Sequence, residues 1–196
     1  MRKEKLEELK QYVEELKTIK QVEINSEKSF LKRKTYDFTL ANGKTIRREK
    51  LLKGKNDGSA AIIMPILQND EILAVVEPRV FTSLGVGIGF PAGYIEEGEE
   101  AIKGAMRELR EETGFVSDDI TLIDSFYQDE GCSSALNRIY LAKNCKKMFN
   151  QDLDESEIIK YMVFNYNELL ELEEMGYIMG GNTKLALVKT KKYFKK

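Results

Sequence analysis

The run EEAIKGAMRELREETGF, residues 99–115, limits the fold more than any other part of the chain. At about 100° per residue, Ile102, Ala105, Met106, Leu109 and Thr113 fall on one narrow face. The spacing therefore predicts an amphipathic helix with that face packed on a sheet. Gly98 and Glu99 suit its start, where negative charge is favoured, and Gly114 suits its stop. The flanks read as strands: SAAIIMPIL (59–67), then a turn at Asn69-Asp70 into its antiparallel neighbour ILAVVEPRV (72–80). A glycine-rich passage, SLGVGIGFPAG, leads into the helix. After it come ITLIDSFYQ, NRIYLAK and IIKYMVFNY, all strand-like. Two helices close the chain, YNELLELEEMG ended by Gly176 and NTKLALVKTKKYFKK capped by Asn182 or Thr183. Strands, one central helix, then strands and helices make a mixed α/β protein.

The first 55 residues form an extension ahead of a main domain at 56–196. Leu6, Leu9, Val13, Leu16 and Ile19 recur at helical spacing over the first twenty residues. A lone helix of that length is marginal, so the stripe docks either on its own domain or on a second copy. KTYDFTL and KTIRREKLL flank Asn42-Gly43, a hairpin signal.

Two absences narrow the chemistry. The chain has no histidine, which removes Ser-His and Cys-His catalysis and the commonest metal ligand. Its two cysteines, Cys132 and Cys145, are too few for a structural zinc site and fit no CxxC motif. Acid–base work falls to carboxylates, Lys, Tyr or Cys, and any metal is held mainly by oxygen, which suits Mg²⁺, Mn²⁺ or Ca²⁺. A net charge of −2 supplies no field for nucleic acid or an anionic membrane. No apolar run approaches the roughly 20 residues of a membrane span, and the N-terminus lacks the apolar core of a signal peptide. The expected compartment is the cytoplasm.

On the helix, Glu108 and Glu112 stack four residues apart, Glu111 lies further round, and Arg107 is placed to pair with Glu111. Solvated, the two stacked carboxylates repel by only a few tenths of a kcal/mol. An ordinary charged helix face would account for the clustering alone. The spacing of the surrounding residues would not. Gly93, Glu99, Arg107, Glu108, Leu109, Glu111, Glu112, Gly114 and Phe115 match G-x5-E-x7-R-E-U-x-E-E-x-G-U, where U is bulky and apolar. The stretch resembles the signature of the Nudix hydrolase family. Phe115 stands where Ile, Leu or Val is usual.

The resemblance implies the Nudix fold, a mixed β-sheet sandwiched between helices. It implies two or three divalent cations, Mg²⁺ with Mn²⁺ as the alternative, on Glu108, Glu111, Glu112 and the Ala92 carbonyl. Arg107 and Glu99 would orient the helix and its ligands, with Gly93 and Gly114 structural in the motif. The reaction implied is hydrolysis of a diphosphate bond in a nucleoside diphosphate derivative. Arg48-Glu49 in IRREKLL, Arg79 in VVEPRV, the run GFPAGYIEEGE and the C-terminal helices are similar to the ADP-ribose pyrophosphatase branch. That likeness implies substrate contacts from Arg48, Glu49 and Arg79, and a homodimer whose N-terminal strands reach the partner. It also implies a general base on the loop DLDESEIIKYMVF, Glu155 ahead of Glu157, with Glu111 as the alternative. Two departures stand out: Gly89 where the branch often has Glu, and Glu130 where it has a proline tied to ADP-ribose. Without Trp, adenine would stack on Phe or Tyr. Another nucleotide sugar, NADH or a dinucleoside polyphosphate are alternative substrates, and a nucleotide-binding regulatory module is the alternative to an enzyme.

Other signals are weaker. GIGFPA fits a dinucleotide-binding pattern, but Pro91 and Gly93 spoil the helix that should follow. NGKT lacks the first glycine of a P-loop, Phe38 standing in its place. Lys189, Lys191, Lys192, Lys195 and Lys196 read as a solvated helix end, and Cys132 as an inert thiol.

Overall fold

The computed structural model describes residues 1, 3–24, 29–54 and 57–194. In chain order its elements are α1 (Lys3–Leu16), β1 (Leu31–Thr39), β2 (Thr45–Lys53), β3 (Ala60–Leu67), β4 (Ile72–Pro78), β5 (Val86–Gly89), β6 (Ala92–Tyr94), α2 (Ala101–Thr113), β7 (Phe115–Val116), β8 (Asp119–Tyr127), β9 (Leu136–Lys147), β10 (Lys160–Phe164), α3 (Tyr166–Glu174) and α4 (Gly181–Thr190). A 3-10 turn, Lys191–Tyr193, follows α4. Lys195 and Lys196 lie outside the described residues.

Among the described residues, eight strands form one mixed sheet around β3, which runs parallel to β9 and antiparallel to β4 and β6. Its near-continuous apolar run is buried on both faces. Ile62, Met64 and Ile66 join Leu9 and Val13 of α1, Leu169 and Leu172 of α3, and Ala186 and Leu187 of α4. Ala61 and Ile63 join Ala105 and Leu109 of α2. Helices thus cover both faces of the sheet, as the expected sandwich requires.

The α1 stripe docks on its own domain. Leu9, Val13 and Leu16 are buried, and Lys5–Glu168 (2.7 Å) and Lys160–Glu8 (2.8 Å) tie the helix to α3 and β10. The helix stops at Leu16 rather than near residue 20. The Thr18 and Ile19 N–H groups bond three residues back, to Glu15 and Leu16, at a point where β-branching disfavours another turn.

The hairpin β1–β2 forms as read, in register from Leu31↔Lys53 to Thr39↔Thr45, with Gly43 at φ +80° in its turn. Strand β1 is exposed along its whole length. At its base the Leu51 N–H donates to the Cys132 carbonyl (2.7 Å), and Lys53 Nζ reaches Gln128 Oε1 (2.9 Å).

Three local expectations are corrected. Helix α2 is capped at Glu100 rather than Gly98-Glu99, because Glu99 turns back to Arg107. Ile102 and Met106 are exposed, and the buried face runs through Ala105, Glu108, Leu109, Glu112 and Thr113. The helix is rotated so that two carboxylates point inward. Helix α4 is capped at Gly180, with Asn182 and Thr183 inside its first turn. There Asn182 Oδ1 accepts from Asn137 Nδ2 at 3.3 Å.

Candidate active site

Arg107 organises the site. Its Nε donates to Glu99 Oε1 (3.0 Å), its Nη2 to Glu99 Oε2 (3.2 Å) and to the Tyr94 carbonyl (3.1 Å). Its Nη1 donates to Glu108 Oε1 (2.7 Å) and Glu111 Oε2 (3.0 Å). One planar guanidinium therefore fastens the loop before α2 to the carboxylates on it. The Arg107 hydrogen bonds hold the Glu99 carboxyl below its ordinary value.

Two glycines make close approaches that a side chain would block. A Cβ at Gly93 would lie 1.9 Å from Glu108 Oε1, so β6 can pass the carboxylate only bare. Gly114 ends α2 in the left-handed region at φ +73°, and a Cβ there would meet the Phe149 carbonyl oxygen at 2.1 Å.

The interior of the site is acidic. Glu112 is 5% exposed, and among the described residues its Oε2 has no hydrogen-bond partner. Burial pushes its carboxyl up to about 9, helped by the charges of Glu108, Glu77 and Glu157 and opposed by the Ala92 backbone. Burial also raises Glu108, against the pull of Arg107. Burial raises Glu77 as well, although Arg79 Nη2 donates to its Oε1 at 2.5 Å. Glu77 was missed from sequence. Its signal was an acid at the end of the apolar run ILAVV, two residues before an arginine and so on the same strand face.

Of the two loop candidates, Glu157 is the one whose charge acts on Glu77, Glu108 and Glu112. Glu155 is exposed in the turn before it. Arg79 lines a cleft of about 720 Å³ that Glu77, Gly87, Gly89, Ala92 and Asn182 also line. A Cβ at Gly89 would lie 2.7 Å from Thr183 Oγ1, which explains glycine here: α4 packs where a side chain would stand. Arg48 and Glu49 remain on the exposed hairpin, Glu49 paired with Arg33 at 3.2 Å, and neither lines the cleft.

Residues 57–180 match the NUDIX domain. The chain belongs to the Nudix hydrolase family. This Nudix hydrolase is 30% identical to an ADP-ribose pyrophosphatase of Bacillus subtilis over 77% of its own length and 80% of the relative's. It is also 30% identical to a methanol dehydrogenase activator of Bacillus methanolicus, over 88% of its own length and 91% of the relative's. Among solved structures, an ADP compounds hydrolase matches its fold with a TM-score of 0.73 at 22% identity, covering 87% of this chain and 90% of that one. Nudix hydrolases generally use divalent metal ions. An all-oxygen set on Glu108, Glu111, Glu112 and the Ala92 carbonyl fits a hard cation. The unpartnered Glu112 oxygen and the bare approach at Gly93 fit the same use. Among the described residues, no three Asp, Glu or Cys side chains are gathered closely enough to hold an ion, and Arg107 is paired with both Glu108 and Glu111. No helix among them is long and apolar enough to cross a membrane.

Proposed function

We propose that this Nudix hydrolase cleaves the diphosphate bond of a nucleoside diphosphate derivative, with ADP-ribose the first candidate, as a cytoplasmic homodimer using Mg²⁺ or Mn²⁺. The products would be AMP and ribose 5-phosphate. The observation that carries the reading is the buried Glu112 carboxyl, its Oε2 without a hydrogen-bond partner among the described residues and the charge of Glu108 acting on it, beside a cleft lined by Arg79. An uncompensated charge this deep is costly, so without a cation the carboxyl keeps its proton, and a divalent cation would remove the cost of ionising it. The name of the Bacillus subtilis relative supports ADP-ribose.

When bound, the cation would acidify the attacking water and offset the charge of the diphosphate. Glu108, Glu111, Glu112 and the Ala92 carbonyl would hold it, and Arg107 keeps their helix aligned. Arg79 offers a planar fork of donors to a phosphate. Glu157 takes the proton from water as the water oxygen bonds to phosphorus and the bridging P–O bond breaks. It displaces Glu155 as first choice because its charge reaches the cluster; Glu111 remains the alternative. Of residues 1–55, the hairpin serves as the dimer and substrate extension. It has no core of its own, and Arg48 and Glu49 ride on it toward a second copy.

The test is a Mg²⁺-dependent hydrolysis panel of ADP-ribose, nucleotide sugars, NADH, diadenosine polyphosphates and nucleoside triphosphates, with Glu112→Gln as control. ADP-ribose should lead and the control should lose at least a hundredfold. A different leading substrate would overturn the ADP-ribose choice alone. Ligand-induced stabilisation without product would replace the enzyme reading by a binding module. The methanol dehydrogenase activator supports a second reading, in which the activity serves a dehydrogenase. Adding a methanol dehydrogenase to the panel tests it: an unchanged dehydrogenase rate rejects it.

A further inference from the structure

Glu77 has no assigned role in the site, yet it joins two parts of it. The turn between β4 and β5 is closed by the Arg79 N–H donating to the Gly85 carbonyl (2.9 Å), and Glu77 lies opposite Gly87 across the two strands. A Cβ at Gly87 would lie 2.7 Å from Arg79 Cγ. The bare strand therefore lets the arginine stem lie across β5. At the end of that stem, Nη2 meets Glu77 Oε1 at 2.5 Å. The other side of Glu77 belongs to the acid cluster, since its charge acts on Glu112 and Glu157 acts on it.

Stability does not account for this pair. The Arg79 side chain is 56% exposed, and half-exposed ion pairs contribute little to folding. Burial meanwhile keeps the Glu77 carboxyl above its ordinary value even with Arg79 beside it. The fold keeps an acid where the acid gains little. What the pair does is fix a long, mobile side chain at the mouth of the cleft before any ligand arrives. Ordering such a side chain during binding would weaken the binding. A guanidinium has five donors, so one bond to Glu77 leaves others for a phosphate.

We propose that Glu77 is a positioning residue that, with the bare backbone of Gly87, holds Arg79 ready for the substrate's diphosphate and sets its distance from the hydrolytic carboxylates. The proposal rests on the diphosphate-hydrolase reading above. It predicts that two unlike changes have the same effect. Glu77→Ala removes the anchor. Gly87→Ala pushes the stem off β5 without touching any carboxylate. Both should raise KM about tenfold and leave kcat within about threefold, because the lost bond is a charge-assisted one made to position a binding group. Glu77→Gln keeps an acceptor oxygen and should restore most of the wild-type KM. Mn²⁺ affinity, measured by calorimetry, should be unchanged in Gly87→Ala.

The same calorimeter should show inorganic pyrophosphate binding about tenfold more weakly to Glu77→Ala and Gly87→Ala than to wild type. Wild-type KM in both variants overturns the proposal. So does a Glu77→Ala protein that keeps its KM but loses kcat and Mn²⁺ binding, since Glu77 would then be a metal-site carboxylate. If the wild-type protein hydrolyses none of the panel, the functional reading has failed. The pyrophosphate titration then decides the Arg79 claim by itself: equal affinities in all three proteins would sink it.

Discussion

Replacing Glu112 by Gln should stabilise the metal-free protein at neutral pH and destabilise it, relative to wild type, once metal is added. The sign follows from the raised carboxyl. In the fold Glu112 titrates near 9 against an ordinary value of 4.5, so between those limits the native state holds a proton that the unfolded chain has released. Unfolding free energy then falls as pH rises, by about 1.4 kcal/mol per pH unit, and the stabilisation is complete only below about pH 4.5. At pH 7.5 the cost reaches up to about 4 kcal/mol. Glutamine keeps the shape and cannot ionise, but it leaves a buried amide to be satisfied, at about 1–3 kcal/mol. The net gain for Glu112→Gln is therefore about 2 kcal/mol at pH 7.5, or roughly 4–8 °C in Tm for a chain of this size. At pH 5 the carboxyl costs only about 0.7 kcal/mol, so the gain should turn into a loss of about 1 kcal/mol. The assay is thermal unfolding followed by circular dichroism in EDTA at both pH values, repeated with excess Mg²⁺. Mg²⁺ should raise Tm in wild type and not in Glu112→Gln, because only a site that binds the native state stabilises it. Parallel pH dependence of the two proteins in EDTA would refute the claim that burial raises the Glu112 carboxyl and keeps it protonated in the fold.

Gly93→Ala would drive a methyl into the Glu108 carboxylate, 1.9 Å away. It should cut Mn²⁺ affinity at least tenfold with the far-ultraviolet spectrum unchanged; unaltered affinity would show that Glu108 does not depend on that approach. Gly114→Ala meets both a left-handed backbone and the Phe149 carbonyl, and should cost more than about 2 kcal/mol in urea unfolding. Leu9→Ala opens a cavity in a fully buried position and should cost about 2–4 kcal/mol, independent of protein concentration. Glu157→Gln should lower kcat at least a hundredfold, with Glu155→Gln within threefold of wild type; the reverse order would return the base to Glu155.

The strands and the central helix were legible because burial patterns repeat. The run SAAIIMPIL is apolar at every position but its first, and a strand covered on both faces has no other way to be written. The box residues were legible because Arg107, Glu108, Glu111 and Glu112 lie within one and a half turns, so local geometry alone brings them together. The face of α2 was misread because Ile102 and Met106 outweigh Glu108 and Glu112 in any count of hydrophobic spacing. Only tertiary packing shows that acids were turned inward. Glu77 escaped selection, and Glu157 was placed behind Glu155, for another reason. They come from β4 and from the loop before β10, which are antiparallel neighbours in the sheet, and pairing at that separation leaves no local trace. The cap of α4 was misplaced because Asn182 and Thr183 are good capping residues spent on other contacts, with Asn137 and with Gly89.

The β1–β2 ribbon has a mechanical consequence. Its strands are nine residues each and the register runs unbroken, so at about 3.3 Å per residue it is a stiff arm about 30 Å long. The arm is rooted by the bond from Leu51 to the Cys132 carbonyl, in the same loop that carries Glu130. A tilt of about 10° at that root would carry the tip at Asn42-Gly43 through about 5 Å. Small rearrangements of the loop are thereby converted into large displacements of a charged, aromatic tip. The root, far more than the tip, is where a single substitution would redirect the arm.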